Sequence, residues 1–306
     1  MRAVHYSADQ RRSIPLTLIQ GPLGAGKTSV VRNLLESASG YRIAAIVNGD
    51  SSVSWLNGNR SIVTDDPTVT LAALTQLAAP PEHVIVEGHP SASSLRLTGY
   101  AYMPGYRPDG TVVVADAAEF ADPDREFPEN QLKQLLTADL IVLNKVDLCG
   151  MKVAARAQQT LSALAPYARF VWSREGRIVP SLLLGPLPDY RRSDVGIVAE
   201  WRTDYIPVEK SRQRVMIGES SHSCCLIAAT GIPADDFRIW ADRLPATVLR
   251  GAGCVYLKER PQQRHEFSLI GKRWRLSSGA PWGDEAPGTR IQLVTLGGAQ
   301  PARTLQ

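Results

Sequence analysis

The segment Gly21–Thr28, with the sequence GPLGAGKT, constrains the fold more than any other part of this chain. It matches the phosphate-binding pattern GxxxxGK[ST] at every fixed position. An apolar run over residues 14–19 precedes it and predicts a buried strand, and residues 28–37 predict a helix. A strand, a glycine-rich loop and a helix together place backbone N–H groups at a helix N-terminus, where a phosphate binds. A chance glycine turn is the alternative, and the complete pattern with its correct flanks argues against it.

The pattern assigns roles to individual residues of the loop. Lys27 would reach the β- and γ-phosphates, which also makes it a catalytic candidate, and Thr28 would give its hydroxyl to Mg²⁺. The glycines allow the backbone to approach the anion without side-chain clashes. The predicted phosphate-binding residues are Gly21, Gly24, Ala25, Gly26, Lys27, Thr28 and Ser29.

A second motif, NKVD, begins at Asn144 and follows a strand-like run over residues 138–143. Ligands of open α/β sheets bind at this end of a strand. The Asp147 carboxylate can accept hydrogen bonds from N1–H and the exocyclic amine of guanine, a donor pair that adenine does not offer. Asn144 and Lys145 would brace the loop, and Ser173 is a further candidate for the base pocket. Alone, NKVD is a common surface turn, but after a P-loop it predicts GTP.

Carboxylates at strand ends are the candidates for Mg²⁺ binding and catalysis. Glu87 ends a predicted strand over residues 84–87 and is the first candidate for both roles. Asp50 follows a predicted strand over residues 43–48 and would hold Mg²⁺ through water, or it simply forms a turn. Asp116 ends another strand and is a similar candidate. No arginine can be assigned as a finger from sequence, so the predicted intrinsic hydrolysis is slow.

Alternating strand and helix patterns predict an α/β fold, a P-loop NTPase domain with a mostly parallel sheet covered by helices. We assign this domain to residues 13–185, after a flexible tail over residues 1–12. A polar, irregular linker is predicted over residues 186–212. Short strands and one amphipathic helix, residues 233–244, predict a small α+β domain on an antiparallel sheet over residues 213–300.

The remaining elements are predicted from local patterns. In the first domain these are helices over residues 69–77, 131–136 and 151–164, and strands over residues 111–114 and 169–171. In the second domain they are strands over residues 214–217, 224–229, 254–257, 266–270, 272–276 and 290–296.

Composition excludes several classes of protein. The net charge of +4 over 306 residues is too small and too scattered to predict nucleic-acid binding. No stretch approaches the roughly 18 apolar residues that span a bilayer, and the N-terminal tail lacks the apolar region of a signal peptide. Four cysteines in a chain of this length do not make a disulfide framework. We therefore expect a cytoplasmic protein without a membrane partner.

The order of the motifs along the chain is recognisable. The glycine loop, the strand ending in Glu87, VVVADA at 112–117, ENQL at 129–132 and ADLIVLNKVDL at 138–148 follow one another. The C-terminal part adds LP at 244–245, VLRG at 248–251, GCVYL at 253–257 and GKRW at 271–274. From about residue 15 to about residue 297 the chain resembles the CobW-type GTPases. This resemblance implies Mg²⁺-dependent GTP hydrolysis coupled to delivery of a metal ion, or another maturation step, to a client protein.

The chain departs from that family in its cysteines. Family members usually carry a CxCC metal-binding segment between the second strand and the strand that ends in the carboxylate. This chain has no cysteine between Met1 and Leu148, and thiolates are what would hold Zn²⁺ or Co²⁺ there. Adjacent Cys224 and Cys225 point to opposite faces of a predicted strand, so packing is their expected role. Transition-metal binding therefore stays open, while GTP binding does not depend on it.

Two functions from different classes follow. In the first, a GTPase assists metal delivery or cofactor assembly for a client protein. In the second, a nucleotide-dependent regulatory or scaffold module docks a partner through its C-terminal domain without metal transfer. A P-loop kinase would leave NKVD without a role. A partner or a homodimer contact is expected to accelerate hydrolysis.

Overall fold

The structure is a computed structural model, and it describes most of the chain. The described residues are 13–38, 41–47, 60–64, 66–89, 92, 94–122, 125–186, 197–200, 218 and 220–296. They divide into two compact units, residues 13–180 with Gly218, and residues 181–186, 197–200 and 220–296. The domain limits assigned from sequence stay predictions.

The first unit is built on a sheet of seven described strands, all parallel, in the order β3-β2-β4-β1-β5-β6-β7. The strands are β1 (Ile14–Gln20), β2 (Ile43–Val47), β3 (Arg60–Val63), β4 (His83–Glu87), β5 (Tyr106–Asp116), β6 (Leu140–Asn144) and β7 (Arg169–Trp172). Several are continuous apolar runs because helices cover both faces of a parallel sheet. This confirms the predicted α/β class.

Seven helices belong to the described part of this unit. They are α1 (Lys27–Ser37), α2 (Pro67–Thr75), α3 (Ser94–Tyr100), α4 (Ala117–Phe120), α5 (Glu129–Leu136), α6 (Val146–Cys149) and α7 (Met151–Leu164). Leu71 of α2 and Leu97 of α3 pack with Leu16 and Leu18 of β1 in one buried cluster.

The local patterns missed parts of this unit. Strand β3 and helix α3 were not predicted, and β5 begins at Tyr106 rather than at residue 111. The first half of β5 contains polar residues, which hides it from a search for apolar runs. Asp109 is one of them, and its Oδ2 accepts a hydrogen bond of 2.9 Å from Thr17 Oγ1 on β1. Tertiary pairing therefore extends this strand beyond its apolar pattern.

The strand register brings the carboxyl ends of the central strands to one edge. Glu87 of β4 lies opposite Ile19 of β1, and Asp116 of β5 lies opposite Asn144 of β6. Because all these strands are parallel, the loops that follow them also meet at this edge.

The second unit contains a six-stranded sheet in the order β12-β11-β10-β13-β9-β8. Its strands are β8 (Ile197–Glu200), β9 (Ser221–Ala228), β10 (Val248–Tyr256), β11 (Gln263–Ile270), β12 (Arg273–Pro281) and β13 (Thr289–Leu296). The pairing is antiparallel except for β8, which pairs in parallel with β9. Helices α8 (Pro180–Leu184) and α9 (Ala234–Asp242) complete the described elements. The predicted antiparallel C-terminal sheet is confirmed, and the strand predicted over 214–217 lies outside the described residues.

Aromatic packing under α9 forms the core of this unit. Phe237 and Trp240 of α9 are fully buried against Phe267 of β11, with ring centroids 5.5 Å and 6.1 Å from it. A Cβ at Gly251 would come within 3.2 Å of the Phe267 ring, so the ring packs directly on the glycine. Cys224 is buried in the same cluster, which agrees with its expected packing role.

Two kinds of feature are absent from the described residues. None of the helices in these ranges is long and apolar enough to cross a membrane. Within the same ranges, no group of three or more histidine, cysteine, aspartate and glutamate side chains is arranged to hold a metal ion.

Truncating Phe237 should destabilise the second unit far more than truncating its neighbour Ile239. We expect Phe237→Ala to lower the free energy of unfolding by about 3–5 kcal/mol, because it leaves a cavity under α9. Ile239→Ala is the control, since this side chain is 43% exposed and should cost less than about 1 kcal/mol. Urea unfolding followed by tryptophan fluorescence measures both, and equal losses would contradict the packing described.

Candidate nucleotide-binding site

The glycine loop joins β1 to α1 in a conformation that only glycine adopts easily. Gly21, Gly24 and Gly26 have φ values of 140°, 79° and 96°. A Cβ at Gly21 would overlap the backbone carbonyl of Val114, and one at Gly26 would overlap the amide of Asn144. The loop is therefore pressed against the ends of β5 and β6, and its glycines are required by both conformation and space.

Lys27 begins α1 and folds back over the loop. Its Nζ donates to the carbonyl oxygens of Gly21 at 3.0 Å and Pro22 at 2.9 Å. Burial lowers the pKa of Lys27, and the nearby charge of Glu87 partly opposes this. The ammonium group thus lies inside the loop, where an anion would compete with the two carbonyl groups.

Thr28 and Glu87 converge beside Lys27. Thr28 Oγ1 donates to Glu87 Oε1 at 2.7 Å. Burial raises the pKa of Glu87, while the Thr28 hydrogen bond and the Lys27 charge act in the opposite direction. Hydroxyl and carboxylate oxygens are hard donors of the kind that Mg²⁺ prefers, so the residues present fit this ion.

Asn144 connects the glycine loop to the loop after β7. Its Nδ2 donates to the Ala25 carbonyl at 3.0 Å, and its Oδ1 accepts from the Gly176 N–H at 2.9 Å. Asn144, Ala25 and Gly176 are all buried. One carboxamide therefore satisfies two buried backbone groups from different loops.

The NKVD segment continues from Asn144 into α6. Lys145 has φ 62°, a left-handed conformation that is uncommon outside glycine and is often found at functional sites. Its Nζ donates to Asp116 Oδ2 at 2.7 Å. Asp147 lies in the first turn of α6 and is exposed. The helix N-terminus and the exposed carboxylate thus face the same edge as the glycine loop.

Ser173 is fully buried behind this segment. Its backbone N–H donates to the Leu143 carbonyl at 2.8 Å, and its carbonyl accepts from the Val146 N–H at 3.3 Å. Its hydroxyl donates to the Arg177 carbonyl at 3.2 Å. The side chain therefore holds the loop after β7 in shape.

A tight turn over Arg174–Arg177, which the sequence reasoning missed, completes the site. Arg177 N–H donates to the Arg174 carbonyl at 2.8 Å, and the two central residues, Glu175 and Gly176, have φ values of 51° and 75°. Two positive φ values are typical of the turns that join tight hairpins, and a Glu-Gly pair is a weak signal for them. A Cβ at Gly176 would lie 2.9 Å from the Val30 backbone nitrogen, so the turn packs on α1.

The structure brings most of the predicted site residues to one edge of the sheet. Lys27, Thr28 and Glu87 contact one another through the interactions given above. Ser29 is exposed on α1, and Asp50 lies outside the described residues. Asp116 is engaged by Lys145 and by the N-terminus of α4, where its Oδ1 accepts from the Ala118 N–H at 2.9 Å. The assignments themselves remain predictions.

Comparison with known families matches both units. The profile described as "CobW/HypB/UreG, nucleotide-binding domain" matches residues 15–55 and 57–172, about half of the chain. The chain belongs to the CobW/HypB/UreG family. The profile of the "Cobalamin synthesis protein cobW C-terminal domain" matches residues 221–305. The family resemblance inferred from the motifs is thus confirmed.

Curated relatives of this CobW-family chain carry zinc-related names. It is 33% identical over 222 residues to the "Zinc chaperone CobW" of Sinorhizobium sp., covering 56% of this chain and 62% of that protein. It is 26% identical over 192 residues to the "Zinc-regulated GTPase metalloprotein activator 1" of Schizosaccharomyces pombe, covering 54% and 47%. It is 24% identical over 308 residues to the "Zinc chaperone YjiA" of Escherichia coli, covering 92% and 94%. The chain thus spans less than two thirds of the length of each of the first two relatives.

Solved structures of the family are more distant. The Zn(II)-bound YjiA GTPase of E. coli is 20% identical with a TM-score of 0.47, covering 93% of this chain and 95% of that one. HypB from Helicobacter pylori in complex with nickel is 15% identical with a TM-score of 0.40, covering 54% and 80%.

Removing the Asn144 carboxamide should destabilise the first unit. Asn144→Ala leaves the buried Ala25 carbonyl and Gly176 N–H without their partner, at a cost of about 1–3 kcal/mol for each unsatisfied group. We expect a melting temperature lower by several degrees in thermal unfolding followed by circular dichroism.

Asn33→Ala is the matched control for this variant. Asn33 Nδ2 donates to the Glu175 carbonyl of the same turn at 2.8 Å, but at an exposed position, so its loss should cost about 0.5 kcal/mol or less. Equal losses of stability in both variants would show that the buried hydrogen bonds of Asn144 do not hold the two loops together.

Proposed function

We propose that this protein is a Mg²⁺-dependent GTP-binding and GTP-hydrolysing protein that assists the maturation of a client protein. The observation that carries the proposal is the pair of buried hydrogen bonds made by Asn144. Through the Ala25 carbonyl, they hold the NKVD segment beside the glycine loop. The segments proposed to bind phosphate and to read the base lie at the same edge of the sheet, which supports a single nucleotide site there.

Phosphate binding would use the N–H groups at the start of α1 together with Lys27. The ammonium group of Lys27 would exchange the carbonyls of Gly21 and Pro22 for phosphate oxygens. This exchange is favourable because a buried ammonium group gains a charged partner in place of neutral ones. Binding would thereby offset the effect of burial on the Lys27 charge.

Thr28 and Glu87 would hold the Mg²⁺ ion, which when bound neutralises charge on the phosphates. The oxygens of these residues already lie within hydrogen-bond distance of each other. Glu87 is the proposed catalytic carboxylate, and it would orient the attacking water beside the phosphates. Asp50 remains a further proposed Mg²⁺ ligand.

Asp147 would select guanine over adenine. Its carboxylate would accept hydrogen bonds from N1–H and the exocyclic amine, while against adenine it would be left unpaired. Lys145 would cover the ring with its apolar stem. Intrinsic turnover would be slow until a partner or a second copy of the chain supplies further charge.

The client and the cargo are the least constrained parts of this proposal. Relatives named zinc chaperones support metal delivery as the role of GTP turnover, with Zn²⁺ as cargo. The missing cysteines before Leu148 support the alternative, in which the C-terminal domain docks a partner without metal transfer. A cytoplasmic location without membrane or nucleic-acid partners suits both.

Nucleotide calorimetry and phosphate release with GTP and ATP test the proposal. We expect GTP to bind at least about 100-fold more tightly than ATP, because adenine leaves Asp147 unpaired. Without a partner, turnover should be slower than about 10⁻² s⁻¹. Each assay is repeated with Zn²⁺ and Co²⁺. Faster turnover with either metal favours delivery, and unchanged turnover favours the docking module.

Two variants control these assays. Lys27→Ala should abolish hydrolysis and weaken GTP binding more than about tenfold, because the buried ammonium group is lost. Asp147→Asn should weaken the binding of GTP and strengthen the binding of xanthosine triphosphate. The xanthine ring offers a hydrogen-bond acceptor where guanine has its exocyclic amine. ATP binding as tight as GTP binding, or normal hydrolysis by Lys27→Ala, would refute the proposed site.

Mg²⁺-dependent GTP binding should weaken as pH falls, and earlier than an ordinary glutamate would allow. Burial raises the pKa of Glu87, so its proposed metal-binding carboxylate takes up a proton at a higher pH than an ordinary glutamate does. Mg²⁺ titrations from about pH 8 to about pH 5 should show this loss, and Glu87→Gln should remove it.

Glu82→Gln is the control, because partly exposed Glu82 pairs with Arg42 and should leave the profile unchanged. The profile of Glu87→Gln retains the titration of the γ-phosphate itself, so the difference between the two variants isolates Glu87. Identical profiles in both variants would exclude Glu87 from the metal site.

A further inference from the structure

An ion pair joins the NKVD segment to the neighbouring strand. Lys145 Nζ lies 2.7 Å from Asp116 Oδ2, and the two side chains are 31% and 19% exposed. The second oxygen, Asp116 Oδ1, accepts from the Ala118 N–H and caps α4. Both carboxylate oxygens therefore have fixed partners, and the position of Asp116 is set by the fold.

This ion pair lies where a nucleotide would cross the sheet. Strand β5, which ends at Asp116, lies between β1 and β6. The glycine loop follows β1, and Asp147 follows β6. A nucleotide that reaches both must pass the end of β5, so the stem of Lys145 runs beneath its path.

A second carboxylate lies close to Lys145 along the chain. Asp147 is exposed and lies two residues after Lys145, whose long stem gives the ammonium group wide reach. Burial raises the pKa of the Cys149 thiol, and the charges of Asp116 and Asp147 raise it further, so both carboxylates lie within electrostatic range of this thiol. If Lys145 paired with Asp147, it would occupy the oxygens that read guanine.

We propose that Asp116 is a positioning residue that holds Lys145 away from Asp147. Asp147 then keeps both oxygens available for the two guanine donors. This inference rests on the proposed GTP function, and Asp116 acts through Lys145 without touching the nucleotide.

The variant Asp116→Asn separates this role from capping, because asparagine caps helices as well as aspartate does. With its charged partner removed, Lys145 should turn to Asp147. GTP affinity should then fall about tenfold, and inosine triphosphate, which lacks the exocyclic amine, should lose less. The measured quantity is the affinity for GTP divided by the affinity for inosine triphosphate. Both affinities are obtained by competition with a fluorescent GTP analogue.

The response of this ratio to salt distinguishes the proposed mechanism from a general structural defect. Added KCl screens the Lys145–Asp147 pair, so the ratio in Asp116→Asn should rise towards the wild-type value. In the wild type it should stay constant. The ratio cancels the effect of salt on the phosphates, because both nucleotides carry the same triphosphate.

A suppressor variant tests the mechanism directly. Lys145→Met keeps an apolar stem and removes the competing ammonium group, so adding it to Asp116→Asn should restore the ratio. Asp66→Asn is the matched control, because Asp66 caps α2 through Thr68 N–H at 2.9 Å on another helix. Its ratio should equal that of the wild type. If Asp116→Asn fails to fold, Asp116→Ser replaces it, and the same change in the ratio is expected.

An unchanged ratio in Asp116→Asn, with tight GTP binding by the wild type, would overturn this inference and leave the proposed function standing. A reduced ratio that Lys145→Met does not restore would also overturn it. Failure of the wild type to prefer GTP over ATP would refute the proposed function instead.

Discussion

Asn144 joins the glycine loop and the loop after β7 through one buried amide group. Its donor and its acceptor are both used by backbone groups that would otherwise be buried without a partner. Gly26 lies directly against the Asn144 amide, and Gly176 lies against the backbone of Ser29 and Val30 in α1. Asn144 thereby fixes the glycine loop relative to the loop after β7.

The second constraint is electrostatic. Lys27 and Glu87 are buried beside each other, and burial disfavours the charged form of both. The protein therefore maintains a site that is costly without a ligand, and a bound anion and cation would reduce this cost. Such unfavourable local energetics are common where a fold is built for binding rather than for stability.

The sequence predicts those parts of the protein that local patterns encode. Complete motifs placed the glycine loop and NKVD at strand ends, and helix α7 matches the predicted residues 151–164 because its apolar period is regular. Local patterns could not predict that Asp116 is the partner of Lys145. The register between β5 and β6 alone brings these two residues together. Strand β8 escaped prediction for the same reason, since it forms by pairing with β9 inside a polar segment.

Gly218 belongs to the first unit, although it follows residues 181–186 and 197–200, which belong to the second. Its N–H donates to the Trp172 carbonyl at 2.7 Å, and its carbonyl accepts from the Val179 N–H at 2.8 Å, beside strand β7. Its closeness to Val171 and Ile178 leaves little room for a larger residue. Among the described residues, the polypeptide leaves this unit after residue 180, contributes Gly218 to it, and continues in the second unit from residue 220. No single cut can liberate the nucleotide-binding half intact, so genetic dissection of the two halves would require permuting the chain rather than shortening it.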